Sequence, residues 1–134
     1  MKVVFDTNVL VSSFFGGNPR RIIDRWKEGR LTLCLSPQVV EEYFEVLKRL
    51  GLGRGKELEE LAALLARGFN SLYTTETPSL GIVGTDPDDV KFLECAVAHG
   101  VRVVISGDRG LLKVKRYMNI EILSPAEFVS AHPD

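Results

Sequence analysis

The sequence has 134 residues, 45% of them hydrophobic and 26% charged, so it is long enough for one domain with one core and too short for two typical domains. Its 17 lysines and arginines and 18 acidic residues give a net charge of −1, which excludes the global basic field of a non-specific nucleic-acid binder. We therefore expect a single domain over residues 1–134, in which any contact with RNA or DNA uses a local basic patch.

The cysteines and the N-terminus indicate the compartment. Cys34 and Cys95 both lie in apolar segments, which favours buried free thiols over a disulfide and fits a reducing environment. The chain begins with a strand-like run that carries Asp6, where a signal peptide would carry a basic segment and then a long apolar one. We therefore expect a cytoplasmic protein that does not associate with membranes.

Strand and helix patterns alternate along the chain. Runs rich in Val, Ile and Leu predict strands at residues 2–5, 31–35, 101–106 and 119–123, with a further strand at 70–75. Capping residues, prolines and glycines predict helices at residues 18–29, 37–51, 57–69 and 87–100 and a last one from residue 124, with a loop at 77–87. The alternation predicts an α/β fold in three layers, with a central parallel sheet of about five strands covered by helices on both faces.

Two aspartates follow predicted strands. Asp6 and Asn8 interrupt the apolar run VVFDTNVLV, and burying an unpaired carboxylate costs several kcal/mol, so Asp6 must be paired, exposed or ligated. Asp108 follows the strand VRVVIS after a Ser106–Gly107 turn. Both aspartates would then lie at carboxyl ends of parallel strands, where ligands of such sheets gather, although an ordinary turn aspartate also explains Asp108.

Two helices carry a carboxylate on or beside the face that packs on the core. In SPQVVEEYFEVLKRL, Glu42 lies at the edge of the apolar stripe, whereas Glu41 and Glu45 turn more toward solvent. In DPDDVKFLECAVAHG, helix capping explains Asp86 well but explains Asp89 less well, because Asp89 shares the helical spacing of the core-facing residues. A solvated glutamate and a first-turn acid remain the alternatives for these two residues.

Four carboxylates in one cleft would require a counter-ion. Two like charges about 4 Å apart repel by roughly 1–4 kcal/mol in a surface-like dielectric. Mg²⁺ and Mn²⁺ prefer oxygen ligands and are commonly completed by substrate phosphates, so this set of residues suits metal-assisted hydrolysis of phosphodiester bonds. That chemistry requires neither of the two histidines of the chain.

Four segments of the sequence resemble the PIN-domain family, in the order VVFDTNVLVS, SPQVVEEYFEVL, DPDDVKFLECAVAHG and VVISGDRGLL. They are most similar to the bacterial and archaeal VapC-like toxin components of toxin–antitoxin pairs. The resemblance implies a PIN-like domain with a parallel sheet of five strands and the activity of a Mg²⁺- or Mn²⁺-dependent ribonuclease. It also implies single-stranded or looped RNA as substrate, a cognate antitoxin as partner and a homodimer.

By position, the resemblance implies that four carboxylates bind the metal and catalyse: Asp6, Glu42, Asp89 and Asp108. Asn8 matches the polar residue that accompanies the first aspartate, and Ser106 matches the small hydroxyl residue before the last. Asp86 and Asp88 are additional acids for which helix capping and water binding in an outer shell both stay open.

Basic residues in two segments are the candidate contacts with RNA: Arg20, Arg21 and Arg25 on the helix from residue 18, and Lys113, Lys115 and Arg116 after Asp108. An ordinary solvated surface is the alternative for both groups, in keeping with the nearly neutral overall charge.

Two other functions stay open at this point. A PIN-like domain without measurable activity would bind RNA or an antitoxin, although the presence of all four acids favours catalysis. A haloacid-dehalogenase-like phosphatase would use DTNVLV as its nucleophile loop and form a covalent intermediate on Asp6. That family usually has a second aspartate where this chain has Asn8, and no cap domain is evident.

Overall fold

The structure is a computed structural model that describes residues 1–51, 55–81 and 86–133. The strands within these residues are β1 (Lys2–Phe5), β2 (Thr32–Leu35), β3 (Ser71–Tyr73), β4 (Val103–Ile105), β5 (Arg116–Tyr117) and β6 (Ile120–Leu123). The helices are α1 (Thr7–Ser13), α2 (Gly17–Lys27), α3 (Pro37–Leu50), α4 (Gly55–Ala66), α5 (Pro87–His99), α6 (Arg109–Val114) and α7 (Pro125–Ala131).

The strands form one sheet in the order β3-β2-β1-β4-β6-β5. Every neighbouring pair is parallel except β5 and β6, which are antiparallel. The predicted α/β fold with a parallel sheet of about five strands flanked by helices is therefore confirmed, and β5 adds a two-residue antiparallel edge.

The strand order places a topological switch point between β1 and β4. From β1 the chain proceeds outward through β2 to β3, and it then returns to the other side of β1 to form β4. In sheets of this type the connections on the two sides leave in opposite directions, which opens a crevice at the carboxyl ends of the two central strands. The residues directly after β1 and β4 are Asp6 and Ser106.

The core forms where the apolar faces of the helices cover the central strands. Val3, Val4 and Phe5 of β1 are fully buried, as expected for a central strand of a parallel sheet. Tyr43 of α3 is also fully buried, and its hydroxyl donates a hydrogen bond to the backbone carbonyl of Phe5. This bond fixes α3 against the strand that leads to Asp6.

Tyr43→Phe is expected to lower the free energy of unfolding by about 1 kcal/mol, because it removes that bond and leaves a buried carbonyl with one partner fewer. Urea denaturation measures the effect as a lower midpoint with an unchanged slope. Tyr73→Phe is the matched control, since Tyr73 is 57% exposed on β3 at the edge of the sheet and should behave as wild type. Equal midpoints for the two variants would contradict this role of the Tyr43 hydroxyl.

The cysteines are buried free thiols, as predicted. Burial raises the pKa of Cys34 to about 11 and that of Cys95 to about 12, so neither is a reactive thiolate at neutral pH. No helix in the described ranges is both long and apolar enough to cross a bilayer.

Several element boundaries differ from those predicted from the sequence. The helix predicted at residues 57–69 runs from Gly55 to Ala66, and the chain then turns at Gly68, whose φ is +68°. Helices α1 and α6 were not predicted; they have seven and six residues, too few for a helical period to stand out from an apolar run. Residues 82–85 of the predicted loop lie outside the described residues.

Candidate active site

Two of the predicted aspartates lie side by side at the switch point. The backbone N–H of Asp6 donates to the carbonyl of Ile105 at 2.9 Å, which ties the end of β1 to the end of β4. Each aspartate also caps a short helix: Asp6 accepts a hydrogen bond from the N–H of Val9 at 3.1 Å, and Asp108 accepts one from Leu111 at 2.9 Å. Capping orients both side chains and uses one oxygen of each carboxylate as a hydrogen-bond acceptor.

Asp6 is buried and held by the chain that follows β4. Its Oδ2 accepts hydrogen bonds from the Ser106 hydroxyl and from the N–H of Gly107, the latter at 3.2 Å. Ser106 also accepts from the N–H of Asp108 at 3.0 Å, so this one hydroxyl connects both aspartates. Burial raises the pKa of Asp6 to about 6, although these hydrogen bonds favour the ionised form.

Asp89 lies close to Asp108. An added Cβ at Gly110 would lie 3.1 Å from Asp108 Oδ2 and 3.9 Å from Asp89 Oδ2, so both carboxylates face this glycine. Burial and then the charge of Asp108 raise the pKa of Asp89 to about 7, with smaller contributions from Asp86 and Asp6. Asp89 is therefore surrounded by negative charge that a cation would neutralise.

Glu42 projects from α3 toward the same cleft but is engaged by two side chains. Its Oε2 accepts a hydrogen bond from the Thr7 hydroxyl. Its Oε1 lies 2.9 Å from the Lys91 ammonium, and the side chains of this ion pair are 23% and 21% exposed. Glu42 is thus oriented by α1 and α5 together, while Glu41 and Glu45 are exposed as predicted.

Asp6, Asn8, Glu42 and Asp89 line a cleft of about 220 Å³, and Asp108 is not among its lining residues. Among the residues that the structure describes, no three carboxylate, imidazole or thiol side chains are close enough to hold one ion. The oxygen donors nonetheless fit a hard divalent cation in chemical type, and the repulsion that raises the pKa of Asp89 is what such an ion would relieve.

The two additional acids at the start of α5 have different surroundings. Asp86 is the N-cap of α5 and accepts a hydrogen bond from the N–H of Asp88 at 2.9 Å. Asp88 is exposed and lines a separate groove between α3 and α5. Helix capping therefore accounts for Asp86, although its charge also contributes to the raised pKa of Asp89.

The first group of predicted RNA contacts is corrected in part by the structure. Arg25 is 5% exposed, and its guanidinium donates to the carbonyl of His132 and lies 5.8 Å from the centre of the Phe128 ring, so it is a buried contact with α7. Arg20 donates to the carbonyl of Ser13 at 2.6 Å, at the end of α1 away from Asp6. Arg21, by contrast, is exposed.

The second group lies at the far end of α6. Lys113, Lys115 and Arg116 are exposed, and Arg116 pairs with Glu121 at 3.8 Å. Helix α6 begins next to Asp108 and has six residues, which corresponds to a length of about 9 Å. These basic side chains are therefore about one helix length from Asp108.

Sequence reasoning missed the two side-chain partners of Glu42: Thr7, which lines the cleft, and Lys91, which lines the neighbouring groove. Thr7 stands between Asp6 and Asn8, so its closeness to the site could have been read from the sequence. Lys91 comes two residues after Asp89, a spacing that puts the two side chains on different faces of a helix. Its contact with Glu42 depends on how α3 packs against α5, which no sequence pattern records.

The fold and the cleft define an α/β domain with an acidic site at the switch point of its sheet. A model of the PIN domain matches residues 2–110, and the chain belongs to the PIN-domain family, whose members are typically nucleases. None of the curated proteins compared has significant sequence similarity to the chain.

The fold is similar to that of a solved chain from the crystal structure of VapBC2 from Rickettsia felis bound to a DNA fragment from their promoter. The TM-score is 0.59 at 12% sequence identity, and the match covers 92% of this chain and 98% of the other. At this identity the similarity concerns the fold.

Proposed function

We propose that this protein is a Mg²⁺- or Mn²⁺-dependent endoribonuclease that hydrolyses phosphodiester bonds in single-stranded or looped RNA. The observation that carries the proposal is the closeness of three carboxylates at the switch point: Ser106 joins Asp6 to Asp108, and the Asp108 and Asp89 carboxylates both face Gly110. Burial and these neighbouring carboxylates raise the pKa of Asp89. Strongly perturbed carboxylates in a cleft are typical of functional sites, and membership of the PIN-domain family favours a nuclease.

Four side chains would hold the cation: Asp6, Glu42, Asp89 and Asp108. When bound, a divalent cation supplies Lewis-acid activation of water and neutralises charge on the phosphate. Ser106 fixes the orientation of Asp6 through its hydroxyl, and Thr7 does the same for Glu42. Asn8 lines the cleft and would bind substrate or water through its amide.

The experiment uses purified protein and a pool of labelled single-stranded and hairpin RNAs, with DNA oligonucleotides of the same sequences as the comparison. We expect cleavage of RNA in Mg²⁺ or Mn²⁺ and none in EDTA, with restoration when excess metal is added back. Cleavage of DNA at an equal rate would overturn the assignment of RNA as substrate. Cleavage that persists in EDTA would overturn the dependence on metal.

The basic side chains after α6 would contact RNA outside the cleft. Replacing Lys115 and Arg116 together with Gln is expected to weaken RNA binding and to reduce the slope of log affinity against log salt by about 1–2, because each phosphate contact releases counter-ions. Fluorescence anisotropy with a labelled RNA at several salt concentrations measures both quantities. An unchanged slope would identify the two residues as ordinary surface charges.

A role in a toxin–antitoxin pair is the proposed biological setting. It rests on the similarity of the fold to a VapBC2 structure and on the sequence resemblance to VapC-like toxins. In that setting the protein is cytoplasmic, forms a homodimer and binds a cognate antitoxin encoded by a neighbouring reading frame. Growth arrest on expression, relieved by co-expression of the neighbouring gene, tests this setting separately from the chemistry.

A binding module without catalysis is the second candidate. The ion pair between Glu42 and Lys91 favours it, because an ammonium that already neutralises Glu42 opposes the binding of a second cation there. This candidate predicts that the protein binds RNA or an antitoxin and cleaves none of the pooled substrates in any metal.

A further inference from the structure

The ion pair between Glu42 and Lys91 stands at the boundary of two depressions in the surface. Glu42 and Val46 line both the cleft and the groove of about 490 Å³ between α3 and α5. Of these two depressions, Lys91 lines the groove, whereas Asp6 and Asp89 line the cleft. The Lys91 ammonium thus contacts one oxygen of a carboxylate that lines both depressions.

Each oxygen of Glu42 has one polar partner. The ammonium of Lys91 lies 2.9 Å from Oε1, and the Thr7 hydroxyl donates to Oε2. Because both charged side chains are more than three-quarters withdrawn from solvent, this pair is stronger than an exposed ion pair of the same length. A cation that uses Glu42 as a ligand is repelled by this ammonium and therefore competes with it for the carboxylate.

We propose that Lys91 is a positioning residue that competes with the divalent cation for Glu42. The inference rests on the proposed metal-dependent function. Without metal, the ammonium neutralises Glu42 and keeps it from adding to the repulsion among the other carboxylates. With metal, Glu42 turns to the cation and the ammonium is released at the rim of the cleft.

The released ammonium becomes available to a phosphate of the bound RNA. RNA and metal then favour each other's binding, because an RNA phosphate that contacts the released ammonium stabilises the state in which Glu42 binds the cation. Lys91 thereby makes the affinity for the metal depend on substrate: the protein without RNA binds the metal more weakly than the protein with RNA bound.

Calorimetric titration of the metal-free protein with Mn²⁺ at low ionic strength tests the proposal without any cleavage. Lys91→Met is expected to bind Mn²⁺ roughly tenfold more tightly than wild type, because a positive charge next to a ligand is removed. Lys91→Arg keeps the charge and should stay within about twofold of wild type. Lys91→Gln keeps a polar side chain and should repeat the tighter binding if Met disturbs the local packing.

Lys27→Met is the matched control, because Lys27 forms an ion pair with Glu60 at 3.3 Å in a different part of the surface. Its affinity for Mn²⁺ should equal that of wild type. Lys91 variants with unchanged or weaker Mn²⁺ affinity would overturn the competition while leaving the metal site intact. Absence of Mn²⁺ binding in wild type and every variant would overturn both this inference and the proposed function.

A kinetic readout separates positioning from a merely structural role. Lys91→Met should raise the KM for RNA at saturating Mn²⁺, since the ammonium that binds a phosphate is missing, and should leave kcat within a few-fold of wild type. A fall in kcat with an unchanged KM would contradict the release of Lys91 to the substrate.

Discussion

In the absence of divalent cations, Asp89→Asn is expected to raise the melting temperature. Burial and the charges of Asp108, Asp86 and Asp6 oppose the ionisation of Asp89 near neutral pH. Replacing it with a neutral side chain of equal size removes that repulsion. After allowance for solvent screening, the gain is about 1 kcal/mol, or roughly 3–5 °C for a domain of this size.

The same substitution should remove the stabilisation that Mn²⁺ gives. A cation that binds the folded state at a concentration of about 100 Kd stabilises it by roughly 2.7 kcal/mol, so wild type should melt several degrees higher with Mn²⁺. The matched control is Asp88→Asn, which lies one residue away on α5, is exposed and should keep the full response to Mn²⁺. An equal response in both variants would exclude Asp89 from the metal site.

The metal-free protein is expected to lose stability as the pH rises from 5 to 8. The pKa values of Asp6 and Asp89 are about 6 and 7 in the folded chain, both raised from 3.8. The folded state therefore binds more protons than the unfolded state between about pH 4 and 7. The stabilisation from these protons is complete below about pH 4, falls progressively as the pH rises, and is lost once the pH has passed the folded-state pKa values of about 6 and 7. For Asp6 alone the loss is on the order of 3 kcal/mol.

Urea denaturation in EDTA at several pH values measures this loss as a falling midpoint. Asp89→Asn should flatten the upper part of the profile, between about pH 6 and 7.5, because the group with the higher pKa is then absent. Saturating Mn²⁺ should abolish the decline, since a cation favours the ionised carboxylates. A midpoint that stays constant or rises from pH 5 to 8 in EDTA would show that these carboxylates carry no raised pKa.

The fold could be predicted from the sequence because local signals agree with one another. Ser36 and Pro37 start α3, and Ser124 and Glu127 form the predicted capping box of α7. The short elements were missed for a physical reason. In α1, the capping of Asp6 and the packing of Val9 and Leu10 on the core create a helix of two turns, which looks like a continuation of β1 in the sequence.

The site could be predicted only in outline. Strand ends and helical spacing directed attention to Asp6, Glu42, Asp89 and Asp108, but neither pattern fixes the direction of a side chain. The ion pair of Glu42 with Lys91 joins residues 49 positions apart and arises from the packing of α3 on α5. The burial of Arg25 under α7 is likewise a tertiary contact, made across 107 positions, which explains why its charge was misread as a surface contact.

The most direct test of the account is a comparison of RNA cleavage by wild type, Asp89→Asn and Asp88→Asn in Mn²⁺, with EDTA as the metal-free control. Wild type and Asp88→Asn are predicted to cleave RNA in Mn²⁺. The Asp89→Asn substitution and the addition of EDTA are each predicted to lower the cleavage rate by about 100-fold or more, because each would remove the metal that activates the phosphate. Equal cleavage by all three proteins would place the activity outside this cleft and contradict the account.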